Sequence, residues 1–378
     1  MKIGLLIDSL IGGGAERIVL NFAQAFQRRG HDVHVVLIRN QIEHEVPQGI
    51  RIHALSDDGH VARNRTVNKL MLAWQLRRLV TDLQSDGQRF DFFISNAEDA
   101  DRISAMAGLD KVFIRYRNSM VEYLNNKIGS KTGFKRVVRS IRWRMKFRAI
   151  YSDRHIITVS DALQDEIVDG VGVAPRSIHT IYNPFDFDFI RQRAGQFVPQ
   201  IEGPYIIYAA KFERRKRQDV LLRAYAASAA RHTHKLVLIG GTYTDTDRTW
   251  LDDMHALIAE LGIGDRVVMP GFQTNPYPWV KHADLFAMAS DSEGLPTVLI
   301  ESLILGTPVV STDCPTGPRE ILTGPLSKFL CPVGDAPQLA HCIDQALAHY
   351  PTVGDAMLQR FRAEYSIGQY IDHCTSIH

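Results

Sequence analysis

Two glutamates separated by seven residues, Glu293 and Glu301, are the most chemically pointed feature of this 378-residue chain. Residues 290–301 read Ser-Asp-Ser-Glu-Gly-Leu-Pro-Thr-Val-Leu-Ile-Glu. Gly294 permits a tight turn and Pro296 suits the first turn of a helix. Glu293 therefore stands just before a helix, and Glu301 projects from within it about two turns on. The backbone N–H groups near Leu295, Thr297 and Val298 would form an anion site at the positive end of that helix. A carboxylate beside a phosphate site repels the phosphate, so its chemistry must be directed at hydroxyls. One carboxylate for a sugar and one for a ribose is the consistent assignment.

Such a loop needs a strand before it and a helix after it, and the chain supplies that alternation twice. Lys2 to Asp8 is an apolar run of buried-strand type. Gly12-Gly13-Gly14 follows, then helical spacing through Ile18, Phe22, Ala25 and Phe26, then a strand over 32–38. Further strands are expected over 90–95, 111–116 and 155–160. The pattern restarts at Tyr205, with strands over 205–210, 235–240, 266–269, 283–289 and 307–311. Helices are expected over 218–229, 250–261 and 296–305. The expected organisation is an N-terminal Rossmann-like domain over 1–184, a second over 185–360, and a helix over 361–378 that returns to the first. In such sheets ligands bind beyond the carboxyl ends of the strands. Two domains can turn those ends toward each other across a cleft.

Composition narrows the class. Lys plus Arg total 44 against 42 Asp plus Glu, a net charge of +2, which argues against a globally basic nucleic-acid binder. The cysteines, at 314, 331, 342 and 374, form no Cys-x-x-Cys pair, so reduced thiols in a cytoplasmic protein are expected. No apolar run approaches the roughly 18–20 residues of a spanning helix. The N-terminal run is broken early by Asp8 and the glycines and is read as a strand, not a leader. Fifteen histidines lack ligand spacing and no Asp-x-Asp occurs, so no metal and no cofactor are expected.

The combination of motifs around Glu293 resembles glycosyltransferase family 4, retaining enzymes of the GT-B fold that use sugar nucleotides. The shared run comprises Gly271-Phe272-Gln273-Thr274-Asn275-Pro276, then Ala283-Asp284-Leu285-Phe286, then Glu293-Gly294-Leu295-Pro296. Gly306-Thr307-Pro308-Val309-Val310-Ser311-Thr312-Asp313 and Gly317-Pro318-Arg319-Glu320 complete it. Weaker resemblance extends along the whole chain, and it is nearest to bacterial members that build surface polysaccharides on lipid carriers.

The resemblance implies that Glu301 accepts hydrogen bonds from the donor ribose and that Glu293 contacts the donor sugar. The backbone from Leu295 to Val298 would hold the diphosphate. The segment Ala210-Lys211-Phe212-Glu213-Arg214-Arg215-Lys216 resembles the family's Gly-Arg…Lys loop. Lys211 replaces the usual Arg and Lys216 matches the usual Lys. Both cations would neutralise the leaving diphosphate. Gly13 and Gly14 correspond to the family's first loop, where glycine lets the backbone approach donor or acceptor. Many relatives carry a histidine where Asn118 stands. Asn118 is expected to contact sugar, but it cannot shuttle a proton at neutral pH.

The segment from Lys127 to Arg154 holds ten Lys or Arg and one acid. At about 100° per residue, Phe134, Val137, Val138, Ile141 and Met145 share one helix face, expected to be core. Lys131, Lys135, Arg139, Arg142 and Lys146 form a basic stripe, and Trp143 lies on an aromatic edge opposite the core face. Such a helix suits an anionic membrane surface.

The expected function is transfer of a sugar from a UDP- or GDP-linked donor to a lipid-linked or oligosaccharide acceptor, peripherally on the cytoplasmic face of the membrane. The alternatives are a sugar-nucleotide epimerase or phosphorylase, or a non-catalytic subunit that binds sugar nucleotide or lipid.

Overall fold

The strand–helix alternation is built as two separate parallel sheets. The computed structural model describes residues 1–11, 14–56, 66–85, 87–129 and 133–377. The chain divides into Met1–Phe185 together with Arg360–His378, and Asp186–Gln359.

The first unit contains β1 (Lys2–Ile7), β2 (Asp32–Leu37), β3 (Arg51–Ala54), β4 (Phe92–Ser95), β5 (Val112–Tyr116), β6 (His155–Thr158) and β7 (Ser177–Thr180). They form a seven-stranded sheet in the order β3-β2-β1-β4-β5-β6-β7. β1 and β4 are buried along their whole length, which is why they read as unbroken apolar runs instead of alternating ones. A side chain at Gly4 of β1 would meet the Phe93 ring of β4 at 2.2 Å, so glycine there lets the ring lie across the sheet. The helices of this unit are α1 (Gly14–Arg28), α2 (Thr66–Leu83), α3 (Glu98–Ala107), α4 (Met120–Ile128), α5 (Gly133–Tyr151) and α6 (Asp161–Asp165).

The second unit has β8 (Tyr205–Ala209), β9 (Lys235–Ile239), β10 (Val267–Gly271), β11 (Leu285–Met288), β12 (Val309–Thr312) and β13 (Leu330–Cys331), ordered β10-β9-β8-β11-β12-β13. Its helices are α7 (Phe187–Ala194), α8 (Gln218–Ala227), α9 (Asp245–Glu260), α10 (Tyr277–Lys281), α11 (Thr297–Ile304), α12 (Pro318–Ile321) and α13 (Ala336–Ala348). The four cysteines are buried free thiols.

A last helix, α14 (Ala363–Ser376), belongs to the first unit. Tyr370 meets Phe22 of α1 edge-on at 4.8 Å, within a core that also holds Phe26, Phe92 and Phe113. As the chain returns, the Ala363 amide donates to the Phe185 carbonyl and the Phe185 amide to the Phe361 carbonyl, each at 2.9 Å.

Three strands had no sequence signal. β3 and β7 close the two edges of the first sheet and β13 closes one edge of the second. Each is short, and β3 and β7 are only partly buried. An edge strand is defined by its neighbour's hydrogen bonds, not by an apolar run of its own. Helix α9 starts earlier than expected because Thr244 and Asp247 form a capping box there.

The face assignment of α5 is corrected. Phe134, Val137, Val138, Ile141 and Met145, expected to be core, are exposed, Phe134 by 82% and Met145 by 64%. The opposite edge turns inward: the Trp143 and Phe147 rings lie 6.0 Å apart at a 31° tilt, and both meet Tyr123 of α4 edge-on. Aromatic rings bury more area per residue than the aliphatic stripe and gain from edge-to-face geometry. Arg144 is anchored to the Gly170 carbonyl on the inner side. Lys135, Arg139, Arg142 and Lys146 remain exposed. Lys131 lies outside the described residues.

Candidate active site

In the second unit the strand order reverses between β8 and β11. In such sheets the loops on either side of the reversal diverge and leave a crevice. The loop after β8 carries Lys211 and Lys216, and the loop after β11 carries Glu293.

The β8 loop is zipped to the end of β9. The Ala210 amide donates to the Ile239 carbonyl at 2.9 Å and the Phe212 amide to Gly241 at 3.1 Å. A Cβ at Gly240 would fall 1.9 Å from the Ala210 oxygen, so only glycine allows this approach. A short 3₁₀ turn over Arg214–Lys216 follows. Arg217 then takes a left-handed conformation at φ +47°, costly for a side-chain-bearing residue. Its guanidinium is clamped by Asp219 at 2.9 and 3.0 Å and by Asp291 at 2.9 Å.

The two loops are stitched together. The Asp291 amide donates to the Arg215 carbonyl at 2.9 Å, and Arg215 donates to the Ser292 carbonyl at 2.7 Å. The buried Tyr208 hydroxyl lies 3.0 Å from the Lys216 carbonyl and 2.9 Å from Ser290 Oγ. This framework brings Lys216 Nζ to 2.6 Å from Glu293 Oε1, with Arg215 3.5 Å from Oε2. The Glu293 side chain is only 11% exposed. Burial alone would raise its pKa. The charges of Lys216 and Arg215, with hydrogen bonds from Lys216 and Ser290, outweigh burial and hold the carboxyl below its ordinary range. Glu293 is thus an anion at neutral pH.

The Glu293 backbone is fixed from the loop after β12, where Thr316 Oγ1 donates to its carbonyl oxygen. Gly317, at φ +93°, sits so close that a Cβ would lie 2.5 Å from Pro296 and 2.8 Å from the Gly294 oxygen. Helix α11 begins directly afterwards, with Pro296 as an extended N-cap that offers no side-chain cap. Its opening amides, Thr297 and Val298, have no acceptor within the helix. Leu295, just before them, is buried. One turn into the helix, Glu301 Oε1 accepts from the Tyr277 hydroxyl at 3.2 Å.

The two lysines expected to act together have different partners. Lys216 is on Glu293. Lys211 Nζ lies 3.1 Å from Asp247 and 3.4 Å from Glu213, and 5.6 Å from the centre of the Tyr243 ring. Arg215, Asp247, Tyr208, Ser290 and Thr316 escaped the sequence reading. Thr244-x-x-Asp247 carried a capping signal. Arg215 sat unremarked between two other cations, and only side-chain direction separates the three.

Asn118 belongs to the first unit, just beyond β5. It is exposed and lines a cavity of about 140 Å³ with Asp101, Tyr116, Arg117, Tyr123 and Tyr151 among others. Asp101, on α3, is buried, with Ser95 Oγ donating to it at 2.6 Å and the Tyr151 hydroxyl at 3.3 Å. Burial pushes its carboxyl up to about 7. The hydrogen bond from Ser95 offsets this in part, and Asp8 adds repulsion. Gly14 opens α1, while Gly13 lies outside the described residues.

Known proteins match both halves of the chain. A family model described as Glycosyltransferase Family 4 matches residues 12–189, and one described as Glycosyl transferases group 1 matches residues 192–361. The N-acetylgalactosamine-N,N'-diacetylbacillosaminyl-diphospho-undecaprenol 4-alpha-N-acetylgalactosaminyltransferase of Campylobacter jejuni is 27% identical over 85% of this chain and 83% of its own length. The lipopolysaccharide 1,6-galactosyltransferase of Escherichia coli K12 is 29% identical over 49% of each chain. Among solved structures, Anabaena HepE in complex with UDP-glucose superposes with a TM-score of 0.74 at 20% identity, covering 100% of both chains. Sucrose-phosphate synthase of Thermosynechococcus elongatus does so with 0.76 at 18%, again over 100% of both. With one glycosyltransferase model on each half and the two-sheet GT-B fold throughout, the chain belongs to the glycosyltransferases, its first half a Glycosyltransferase Family 4 domain and its second a Glycosyl transferases group 1 domain.

Proposed function

We propose that this glycosyltransferase moves a sugar from a UDP- or GDP-linked donor to a lipid-linked or oligosaccharide acceptor in bacterial surface polysaccharide synthesis. It does so with retention of configuration and without a metal, on the inner face of the cell membrane. The observation that carries the reading is the 2.6 Å Lys216–Glu293 pair beside the opening amides of α11. It sets a cation for a leaving diphosphate next to a carboxylate for sugar hydroxyls. The Campylobacter relative, whose name specifies a diphospho-undecaprenol acceptor, supports a lipid-linked acceptor, and UDP-glucose in the HepE structure supports a UDP donor.

In the proposed reaction the acceptor hydroxyl oxygen bonds to the anomeric carbon on the face from which the diphosphate departs. The anomeric C–O bond to phosphate breaks, and the hydroxyl proton passes to the departing phosphate oxygen. No protein base is required, which fits asparagine at position 118. Lys216 and Arg215 meet the charge that grows on the diphosphate, with Thr297 and Val298 amides and Lys211 as further donors. Glu293 orients the sugar, and Glu301 holds the ribose. Membrane attachment is peripheral in this reading. Among the described residues no helix is long and apolar enough to cross a membrane.

The test is a donor panel with NMR assignment of the product anomer. Wild type should give the donor's own anomeric configuration in the presence of EDTA. An inverted product, or turnover abolished by EDTA, overturns the retaining and metal-independent parts. Full turnover by Glu293→Gln overturns the site.

A further inference from the structure

The cavity beyond β5 gathers polar groups that the fold of the first unit leaves unused. Its wall is aromatic. The Phe147 and Tyr151 rings of α5 stack at 6.1 Å, and Tyr116 meets Tyr151 edge-on at 5.9 Å. Against this wall stand Asp101 from α3, Tyr116 at the end of β5, and Arg117 and Asn118 just after it. Arg117 Nη1 is buried without a hydrogen-bond partner. The Tyr116 hydroxyl makes no hydrogen bond to any described residue, although the residue is only 8% exposed. Buried polar groups normally find partners, so unpaired ones converging on a cavity point to a ligand.

Size and charge select that ligand. The cavity's 140 Å³ equals the liquid volume of roughly four or five waters, room for most of one sugar ring and far too little for a nucleoside diphosphate. Asp101 and Glu98 line it and Asp8 lies close to Asp101, so a phosphate is repelled. Arg117 repels an ammonium group. A neutral ring avoids both penalties: its C–H faces lie on the aromatic wall and its hydroxyls complete the polar groups. We propose that the cavity holds one uncharged sugar ring of the acceptor, and that Asp101, Tyr116 and Arg117 select it through its hydroxyls. This rests on the sugar-transfer reading of the proposed function. The selection carries a proton. Burial raises the Asp101 carboxyl, the Ser95 hydrogen bond lowers it, Asp8 raises it further, and Arg117 and Tyr151 lower it, leaving it at about 7. A ring in the cavity displaces the water that would solvate the ionised form, so the occupied state favours the protonated carboxyl. Affinity is therefore greatest below pH 7 and falls above it.

Saturation-transfer NMR on the full chain, without donor, tests this. The probes are the methyl glycosides of glucose, galactose, mannose, N-acetylglucosamine and N-acetylgalactosamine, at about 10 mM to report millimolar binding. At least one should bind wild type, about ten-fold more weakly at pH 8 than at pH 6. Tyr116→Phe should weaken it about five-fold with unchanged thermal unfolding, because the hydroxyl it removes has no partner in the fold. Asp101→Asn, which keeps an N–H donor, should bind equally at both pH values. Binding by no glycoside, or undiminished binding by Tyr116→Phe, overturns the proposal. Inorganic diphosphate that displaces the glycoside would assign the cavity to the donor and overturns it as well. Wild-type binding that does not change with pH removes Asp101 from the selection. A chain that binds glycosides in this way yet transfers no sugar would defeat the proposed function and not the cavity's preference.

Discussion

Glu293 and Asp101 are both buried carboxylates just beyond the carboxyl end of a parallel strand, and their surroundings push them in opposite directions. Glu293 has Lys216 and Arg215 within salt-bridge distance and stays ionised. Asp101 has hydroxyl partners in Ser95 and Tyr151, and its carboxyl rises to about 7. Burial alone therefore does not set the charge of a carboxylate; the charge of its partners does. The second unit holds a fixed ion pair suited to managing phosphate charge. The first unit holds an acid close to neutrality in an aromatic-lined cavity.

The largest expected effect comes from removing the cation on the ionised side. Lys216→Ala should cut turnover by about 10²–10³-fold and leave Glu293 paired with Arg215, 3.5 Å away. Initial rates with a nucleotide-sugar donor measure it, and a loss below ten-fold would break the contrast.

Asp101→Asn tests the other side. A folded-state pKa raised to about 7, against about 3.9 unfolded, contributes stability that is complete below pH 4. That stability is lost as pH rises through 7. The asparagine variant should therefore gain on wild type between pH 4 and pH 8, by roughly 2–4 kcal/mol. Urea midpoints across that range measure it, and a pH-independent difference would show Asp101 to be ionised throughout.

Tyr208→Phe sharpens the comparison by loosening the framework without touching a charge. Loss of the hydroxyl beside the Lys216 carbonyl and Ser290 Oγ should cost about 1–2 kcal/mol in chemical denaturation. The smallest effect belongs to Tyr277→Phe, which removes a neutral donor from partly exposed Glu301. Stability should fall by less than about 1 kcal/mol, with donor KM rising while kcat holds. A fall in kcat would move Glu301 from ribose binding into the reacting centre.

The sequence by itself determined the repeated strand–helix order and the start of α11 behind Glu293. It also put the Lys216 and Glu293 loops after strands. Those features are local: apolar runs mark buried parallel strands, and glycine and proline mark turns and helix starts. The tertiary structure alone decided which cation meets which carboxylate. Lys216 and Glu293 are 77 residues apart in sequence, and no spacing rule sends Lys211 to Asp247 instead. It also decided which apolar face of α5 is buried, because periodicity reports that a helix has two such faces but not which one finds aromatic partners. The edge strands β3, β7 and β13 likewise exist because a neighbouring strand offers hydrogen bonds, a property of the sheet and not of the segment.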